Sequence, residues 1–320
     1  MDNSRIEWTD ATWNPLRGCT RVSEGCRNCY AEAIAARFSG PGQAYEGLAE
    51  MHNGAPRWTG KMMLAENHLL DPIRWKRPRK IFVNSMSDLF HESVPDEWIY
   101  KIFSVMRKAN HHVFQVLTKR PKRMLEIMST LREVTIERAT EHGVPEWFSN
   151  AYYDNGLIDR HIWLGVSVED QKTADARIPL LIKSPAGKRF LSCEPLLGPI
   201  KFKNHHWPID WVIVGGESGS GARPMHPDWA RSLRDQCKAA GVSFFFKQWG
   251  EYAPIGEMPN GDTPGCSDYH KNAKSVVLQR DGRIEFAFPE GAMTMLKIGK
   301  HAAGRLLDGC EYSQFPEVNQ

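Results

Sequence analysis

The chain has 320 residues, 41% hydrophobic, 25% charged and 10% aromatic, so it carries material for a large core and is not globally disordered. That length suits about two domains of ~150 residues or one α/β barrel with insertions. Forty-one basic against 38 acidic residues leave +3, a balance that permits a nucleic-acid partner without requiring one. No apolar run approaches the ~18 residues of a membrane-spanning helix, so no membrane partner is expected. The opening MDNSRIEWTD lacks the apolar stretch of a secretory signal. A cytoplasmic location follows as an expectation, with the seven cysteines reduced rather than paired.

In chain order, a first strand is expected around Thr9–Trp13, then the clustered Cys19, Cys26 and Cys29, then a helix over Cys29–Phe38. Ser39–Arg79, rich in Gly, Pro, Trp and Met, reads as an insertion over one face. From about residue 80 to 250, short apolar runs alternate with amphipathic ones. The predicted strands are Lys80–Val83, His112–Leu117, His161–Val166, Arg189–Leu191, Trp211–Val214 and Ser243–Phe246, nearly continuously apolar as buried parallel strands are. The predicted helices are Pro95–Lys108, Pro121–Met128, Ala174–Ile182 and Pro227–Ala240, the last ending at Gly241. A second insertion is expected over Glu133–Arg160. About seven β–α units point to an α/β chain built as a partial or complete parallel (β/α) barrel over residues 1–250. Residues 251–320 read as a C-terminal extension: a turn-rich loop, a hairpin of Ser275–Leu278 and Ile284–Phe288 around Asp281-Gly282, and a basic tail from Leu296 to Tyr312.

In a parallel barrel, ligand chemistry collects at the carboxyl ends of the strands. Those ends here are polar: Asn84 to Asp88, Thr118-Lys119-Arg120, Ser167 to Asp170, Ser192-Cys193-Glu194, Gly215 to Gly219 and Lys247 to Gly250. The sharpest signal is Cys19-x6-Cys26-x2-Cys29. Three thiolates in one loop can hold an iron–sulfur cluster with one iron left open, or zinc with a distant fourth ligand such as His52 or Cys193, or they can be three unligated thiols. The Gly215-Gly216-Glu217 turn presents Glu217 to the mouth with Arg223 close behind, as a substrate contact, a cofactor contact or a structural turn. Lys247, Gln248 and Trp249 look substrate-facing, although Trp249 reads equally well as a core aromatic. Cys193 is placed where a thiol can donate a hydrogen atom, against the plainer reading of a small core residue. No histidine spacing suggests a metal site, and no Rossmann, P-loop or Gly-x-Ser-x-Gly motif is present.

A three-cysteine loop after the first strand of a parallel barrel resembles the radical S-adenosylmethionine superfamily, in spirit nearest its photoproduct-lyase branch. Whole-length phrases are also similar to a poorly characterised phage and bacterial family with this three-cysteine motif. They are Trp13-Asn14-Pro15, Gly25-Cys26-x2-Cys29-Tyr30-Ala31, Leu117 to Pro121, Glu194 to Gly198, Gly215 to Gly219 and Lys247 to Gly250. The first gap holds six residues where the superfamily has three, and Asn28 stands where an aromatic residue is common. The resemblance implies a [4Fe–4S] cluster on Cys19, Cys26 and Cys29 whose open iron binds S-adenosylmethionine, and an electron donor whose electron releases a 5′-deoxyadenosyl radical. It further implies Ser85, Ser87 and Asp88 at the methionine amino group, and Thr118 and Lys119 at its carboxylate. Ser167 and Glu169 would meet the ribose, Glu194 is a further cofactor-binding candidate, and Glu217, Arg223 and Lys247 are catalytic candidates. Three basic clusters, Arg74–Lys80, Lys119–Arg123 and Lys297–Arg305, suit a nucleic acid or nucleoside substrate, or are simply solvated faces. The expectation is radical modification or repair. Its rivals are a zinc-stapled, non-catalytic nucleic-acid- or partner-binding module, and a hydrolase built on the strand-end carboxylates.

Overall fold

The computed structural model describes residues 4, 6–133, 159–203, 208–255, 274–285 and 289–317. Most of the second expected insertion, the loop beyond Ile255, residues 286–288 of the expected hairpin, Cys266 and the His205-His206 pair lie outside the described residues.

The chain opens with β1 (Ala11–Trp13) and β2 (Leu16–Arg17), and the helix α1 (Tyr30–Arg37) follows the cysteine loop. The first insertion holds the hairpin β3 (Ala49–His52) and β4 (Ala55–Trp58), then β5 (Met63–Leu64) paired with β2, then the short helices α2 (Glu66–Leu69) and α3 (Asp71–Arg74). The alternating region follows as β6 (Lys80–Val83), α4 (Asp96–Lys108), β7 (Val113–Thr118), α5 (Pro121–Glu133), β8 (Ile162–Ser167), α6 (Gln171–Lys183), β9 (Lys188–Cys193), β10 (Trp211–Gly215), α7 (Pro227–Ala240) and β11 (Ser243–Gln248). Three further strands, β12 (Tyr252–Pro254), β13 (Lys274–Leu278) and β14 (Met293–Lys297), and α8 (Lys300–Ala303) close the fold.

Local chemistry starts and stops these helices. Asp96 and Glu97 open α4 and Arg107 and Lys108 end it, matching the helix dipole at both ends, while Ile99, Ile102, Phe103 and Met106 bury its inner face. A capping box starts α6: the Asp170 carboxylate accepts from Thr173 N at 2.8 Å, and Thr173 Oγ1 accepts from Asp170 N at 3.0 Å. His226 caps α7 before Pro227, and Gly241, at φ 67°, stops it in the left-handed conformation.

One seven-stranded sheet runs in the order β1-β6-β7-β8-β9-β10-β11, every pair parallel. The order never reverses, so this is not a doubly wound sheet, which needs a switch point. It is also curled. In a flat sheet β6 and β10, four places apart, would be separated by about 19 Å. Instead the Trp8 ring lies 4.6 Å from Phe82 of β6 and 6.1 Å from Trp211 of β10. The sheet is thus a curled half-barrel. Its concave face carries a ring layer of Phe82, Trp163, Phe190, Trp211 and Phe245 around Trp8, and its convex face packs Val83, Val116, Leu164, Leu191, Val214 and Phe246 under the helices.

The strands β12, β14 and β13 form an antiparallel sheet in that order, and its Tyr252, Leu278 and Met295 share the same core as the helices. The Asp281-Gly282 turn is present, with Gln279 N donating to Arg283 O at 2.8 Å, Leu278 bridging Ile284 and Glu285 N donating to Val277 O at 3.2 Å, and β13 also pairs antiparallel with β14. Among the described residues, no helix is long and apolar enough to cross a membrane.

Candidate functional site

The polar strand ends of the half-barrel converge with the cysteine loop on one cavity of about 440 Å³, within the usual size of small-molecule sites. Cys19, Cys26 and Cys29 all line it, as do Ser85, Ser87, Asp88, Thr118, Lys119, Ser167, Glu194, Glu217 and Lys247. Glu169 and Arg223 stand behind the wall, each bonded to residues of the cysteine loop. Tyr30 also lines the cavity and donates its hydroxyl to Ser85 O at 2.6 Å.

Three buried charged groups at strand ends hold the loop, one beside each cysteine. Next to Cys19, Thr20 Oγ1 accepts from Arg120 Nη2 at 2.7 Å and pairs with His91 Nε2 at 2.8 Å. Arg120 is itself fixed by Asp88 at 3.0 Å and Glu92 at 2.7 Å. Asp88 also accepts from Thr118 Oγ1, Lys119 N and Phe90 N, so both its oxygens are engaged within the protein.

Before Cys26, Ser23 Oγ donates to Glu169 Oε1 at 2.9 Å. The same carboxylate takes Lys119 Nζ at 2.8 Å and Arg177 Nη1 at 3.0 Å. Burial alone would raise the pKa of Glu169, but these two cations outweigh it and bring the carboxyl down to about 2. Gly25 lies flat against this group: a Cβ there would come 2.5 Å from Glu169 Cγ and Oε1.

Before Cys29, Asn28 Nδ2 donates to Glu217 Oε2 at 3.0 Å and to Gly221 O at 2.7 Å. Arg223 grips both Glu217 oxygens, at 2.8 and 2.6 Å, and reaches Glu24 O at 2.9 Å. Against the upward push of burial, Arg223 and Asn28 hold the Glu217 carboxyl below the usual range. The turn that presents Glu217 requires Gly216, because a Cβ there would fall 1.8 Å from Trp249 O.

The setting of Cys19 and Cys29 disfavours the thiolate. Burial and the nearby Asp88 carboxylate push Cys19 up to about 12 against the pull of Arg120. Burial also raises Cys29, although backbone N–H groups of Glu32 and Ala31 at the start of α1 pull the other way. None of the three is in a disulfide. Among the described residues no three His, Cys, Asp or Glu side chains sit together as the ligand set of a single metal ion. A mononuclear zinc needs its thiolates within about 2.3 Å of one point, whereas a cluster takes each thiolate on a different iron. The donor set is three free thiols on one cavity wall with the cations Arg120 and Lys119 nearby, and thiols are the ligands an iron–sulfur cluster takes, one on each iron. The fourth ligands considered for zinc do not join it: His52 is exposed on β3, and Cys193 is buried in the convex-face core with Cys237.

On the opposite wall, Lys247 Nζ lies 2.6 Å from Glu194 Oε1, and Gln248 Nε2 donates to Ser218 Oγ at 3.1 Å. Trp249 proves to be a core aromatic, packed on Phe246 and donating to Leu306 O at 2.7 Å. The basic clusters lie apart or are internally paired. Arg74–Lys80 runs into the start of β6, at the end of the sheet away from the cavity, where Arg79 stacks on Trp75 and Lys80 on Phe315. In Lys119–Arg123, Lys119 and Arg120 are paired as described and Arg123 binds Asp96 at 2.6 Å. In the tail, Lys300 pairs with Glu7 at 3.4 Å and Arg305 with Glu311 at 3.4 Å.

Arg177, Thr20, Ser23 and Asn28 have no role assigned from the sequence, and Arg120 only a place in a basic cluster, yet they fasten the loop. Arg120 stands in a quoted phrase and Asn28 at a noted departure, but only the folded chain shows what either touches.

Fold and site together define a curled α/β half-barrel with a three-cysteine loop docked across its mouth. The chain matches, over residues 3–316, the model of the family described as "Protein of unknown function (DUF5131)", and it belongs to that family. No curated protein and no solved structure matches it.

Proposed function

We propose that this protein is a radical S-adenosylmethionine-type enzyme in which Cys19, Cys26 and Cys29 hold a [4Fe–4S] cluster at the mouth of the half-barrel. The observation that carries the reading is the convergence of three free thiols and the polar ends of six strands on one cavity. When bound, the cluster and S-adenosylmethionine would supply an electron-driven cleavage of the sulfonium bond and, with it, the power to abstract a hydrogen atom.

The chain's own residues then have separable tasks. Ser85 and Ser87 donate their hydroxyl hydrogens to Asn14 Oδ1 and Leu16 O, at 3.1 and 3.0 Å, which fixes their oxygens as acceptors on the cavity wall. Asp88, Glu169 and Glu217 orient the loop that carries the thiols. Lys247 Nζ, held 2.6 Å from Glu194 Oε1, lines the cavity where it can donate to a carbonyl or hydroxyl. The docked loop screens the interior from bulk water.

The test is anaerobic reconstitution followed by iron, sulfide and zinc analysis, with the Cys19/Cys26/Cys29→Ala variant alongside. About four irons and four sulfides per chain, lost in the variant, together with 5′-deoxyadenosine release under dithionite, are expected. One zinc with no sulfide would overturn the reading.

A further inference from the structure

The first basic cluster takes no part in the cavity, and its charge is not balanced locally. Residues 70–80 carry five cations and one acid, Asp71, which His68 and Arg74 already occupy at 3.0 and 3.5 Å. Lys80 is paired with Asp10 at 3.9 Å, and Arg79 is stacked on Trp75. Lys76 and Arg77 are exposed, and among the described residues neither has an ion-pair partner. Two aliphatic side chains stand exposed beside them: Leu70 at 43% and Ile73 at 36%, three residues apart across the single turn of α3. Lys76 follows Ile73 by at most about 11 Å of chain. The four side chains therefore form one small aliphatic patch with a cationic border.

The backbone beneath this patch is fixed. Trp13 Nε1 donates to His68 O at 2.8 Å, His112 Nε2 to Pro72 O at 3.0 Å and His111 Nε2 to Trp75 O at 2.7 Å. Leu69 and Trp75, from the same segment, pack against the core. A surface held this firmly loses little conformational entropy when a partner covers it.

The patch suits a protein segment better than a nucleic acid. Base stacking needs a free aromatic face. Trp75 is packed on the core, with the Arg79 guanidinium 5.2 Å over one face and His112 edge-on at 6.2 Å. Leu70 and Ile73 are aliphatic and match an aliphatic side chain rather than a base. The surplus of cations sets the sign of the complement: carboxylates placed around one or two aliphatic residues.

We propose that this patch, at the end of the sheet opposite the cavity, docks an acidic segment of a partner protein. Its carboxylates meet Arg74, Lys76 and Arg77, and its aliphatic side chain lies on Leu70 and Ile73. A partner held there leaves the mouth open to a small substrate. Neither the thiols nor the cavity residues enter this docking, so it is independent of the proposed function.

Fluorescence anisotropy of the full chain with a labelled peptide of repeated Glu-Glu-Leu tests it, beside repeated Glu-Glu-Ser, single-stranded oligothymidylate and phosphatidylglycerol vesicles. The Glu-Glu-Leu peptide is expected to bind, with Glu-Glu-Ser about fivefold weaker, and a rise in salt from about 50 to 300 mM should weaken it about tenfold. Lys76→Glu with Arg77→Glu should weaken it at least about tenfold, and Leu70→Ser with Ile73→Ser about fivefold. All four side chains are exposed, and circular dichroism checks that both variants fold. The Cys19/Cys26/Cys29→Ala variant should bind the peptide unchanged, so a positive result stands even where no cluster forms. No binding of Glu-Glu-Leu, equal binding of Glu-Glu-Ser, loss of binding in the cysteine variant, or a preference for oligothymidylate or vesicles over the peptide would each overturn the inference.

Discussion

Glu169 shows how one residue ties charge to stability. Its carboxylate is 1% exposed and serves Ser23, Lys119 and Arg177 together. A carboxyl held near 2 when folded, against about 4.3 when unfolded, stabilises the native state by on the order of 3 kcal/mol. Because the folded value is the lower one, that contribution is complete above the unfolded value and is lost as pH falls toward 2. Denaturant titrations should therefore show stability falling steeply between about pH 5 and 2. Glu169→Gln should be weaker by roughly 3 kcal/mol at pH 7, since it strands the buried Arg177 and the partly buried Lys119, and should show a shallower acid slope. An unchanged slope in the variant would assign the acid sensitivity to other carboxylates. Gly25 tests the same contact from the other side. Gly25→Ala sets a Cβ 2.5 Å from the Glu169 carboxylate, so the loop must lift. Thiol labelling of Cys26, buried in the native chain, should speed up several-fold in that variant.

At the level of elements, the alternation of apolar and amphipathic runs was enough to place every strand of the large sheet. The errors are systematic. Expected ends at Leu117, Val166, Leu191 and Phe246 become Thr118, Ser167, Cys193 and Gln248. The ladder continues past the point where the inward-facing side chains change from the ring layer to the polar mouth, so an apolar pattern stops short of the backbone pairing. The tail is the larger omission, because its role is carried by backbone groups that leave no hydrophobic period. Residues 304–314 run beside β11: Phe246 N donates to Tyr312 O at 2.9 Å, Trp249 N to Gly304 O at 3.2 Å, and Phe245 bridges Ser313. Trp211 Nε1 donates to Gln314 O at 2.8 Å, and the Phe315 ring lies 5.0 Å from Trp211. The tail thus covers the last edge of an open sheet, a place where uncovered strands invite aggregation. Truncation after Ala303 should send the protein to the insoluble fraction or to high-mass species on gel filtration. A soluble, monomeric truncation would show that β11 needs no cover.

For the whole molecule, a seven-stranded half-barrel has an open mouth, and the cysteine loop is what crosses it. The loop is anchored at the ends of β6 and β7 through Asp88 and Arg120, of β8 through Glu169, and of β10 through Glu217. The three cysteines and their spacing were legible in the sequence, since thiols so close together are a local signal. Their anchors were not: Thr20 to Arg120, Ser23 to Glu169 and Asn28 to Glu217 span 100, 146 and 189 residues, and nothing local pairs them. This arrangement separates holding the loop from holding a metal. A loop organised by its thiols would collapse when they are removed, as small metal-dependent domains do. Here buried ion pairs do that work, so Cys19/Cys26/Cys29→Ala should melt within about 3 °C of the metal-free parent. Arg120→Ala, which strands Asp88 and releases Thr20, should melt roughly 5–10 °C lower with all three cysteines intact. Calorimetry on both metal-free variants decides the matter: a triple variant that unfolds well below Arg120→Ala would mean that the thiols, not the charged strand ends, hold the mouth together.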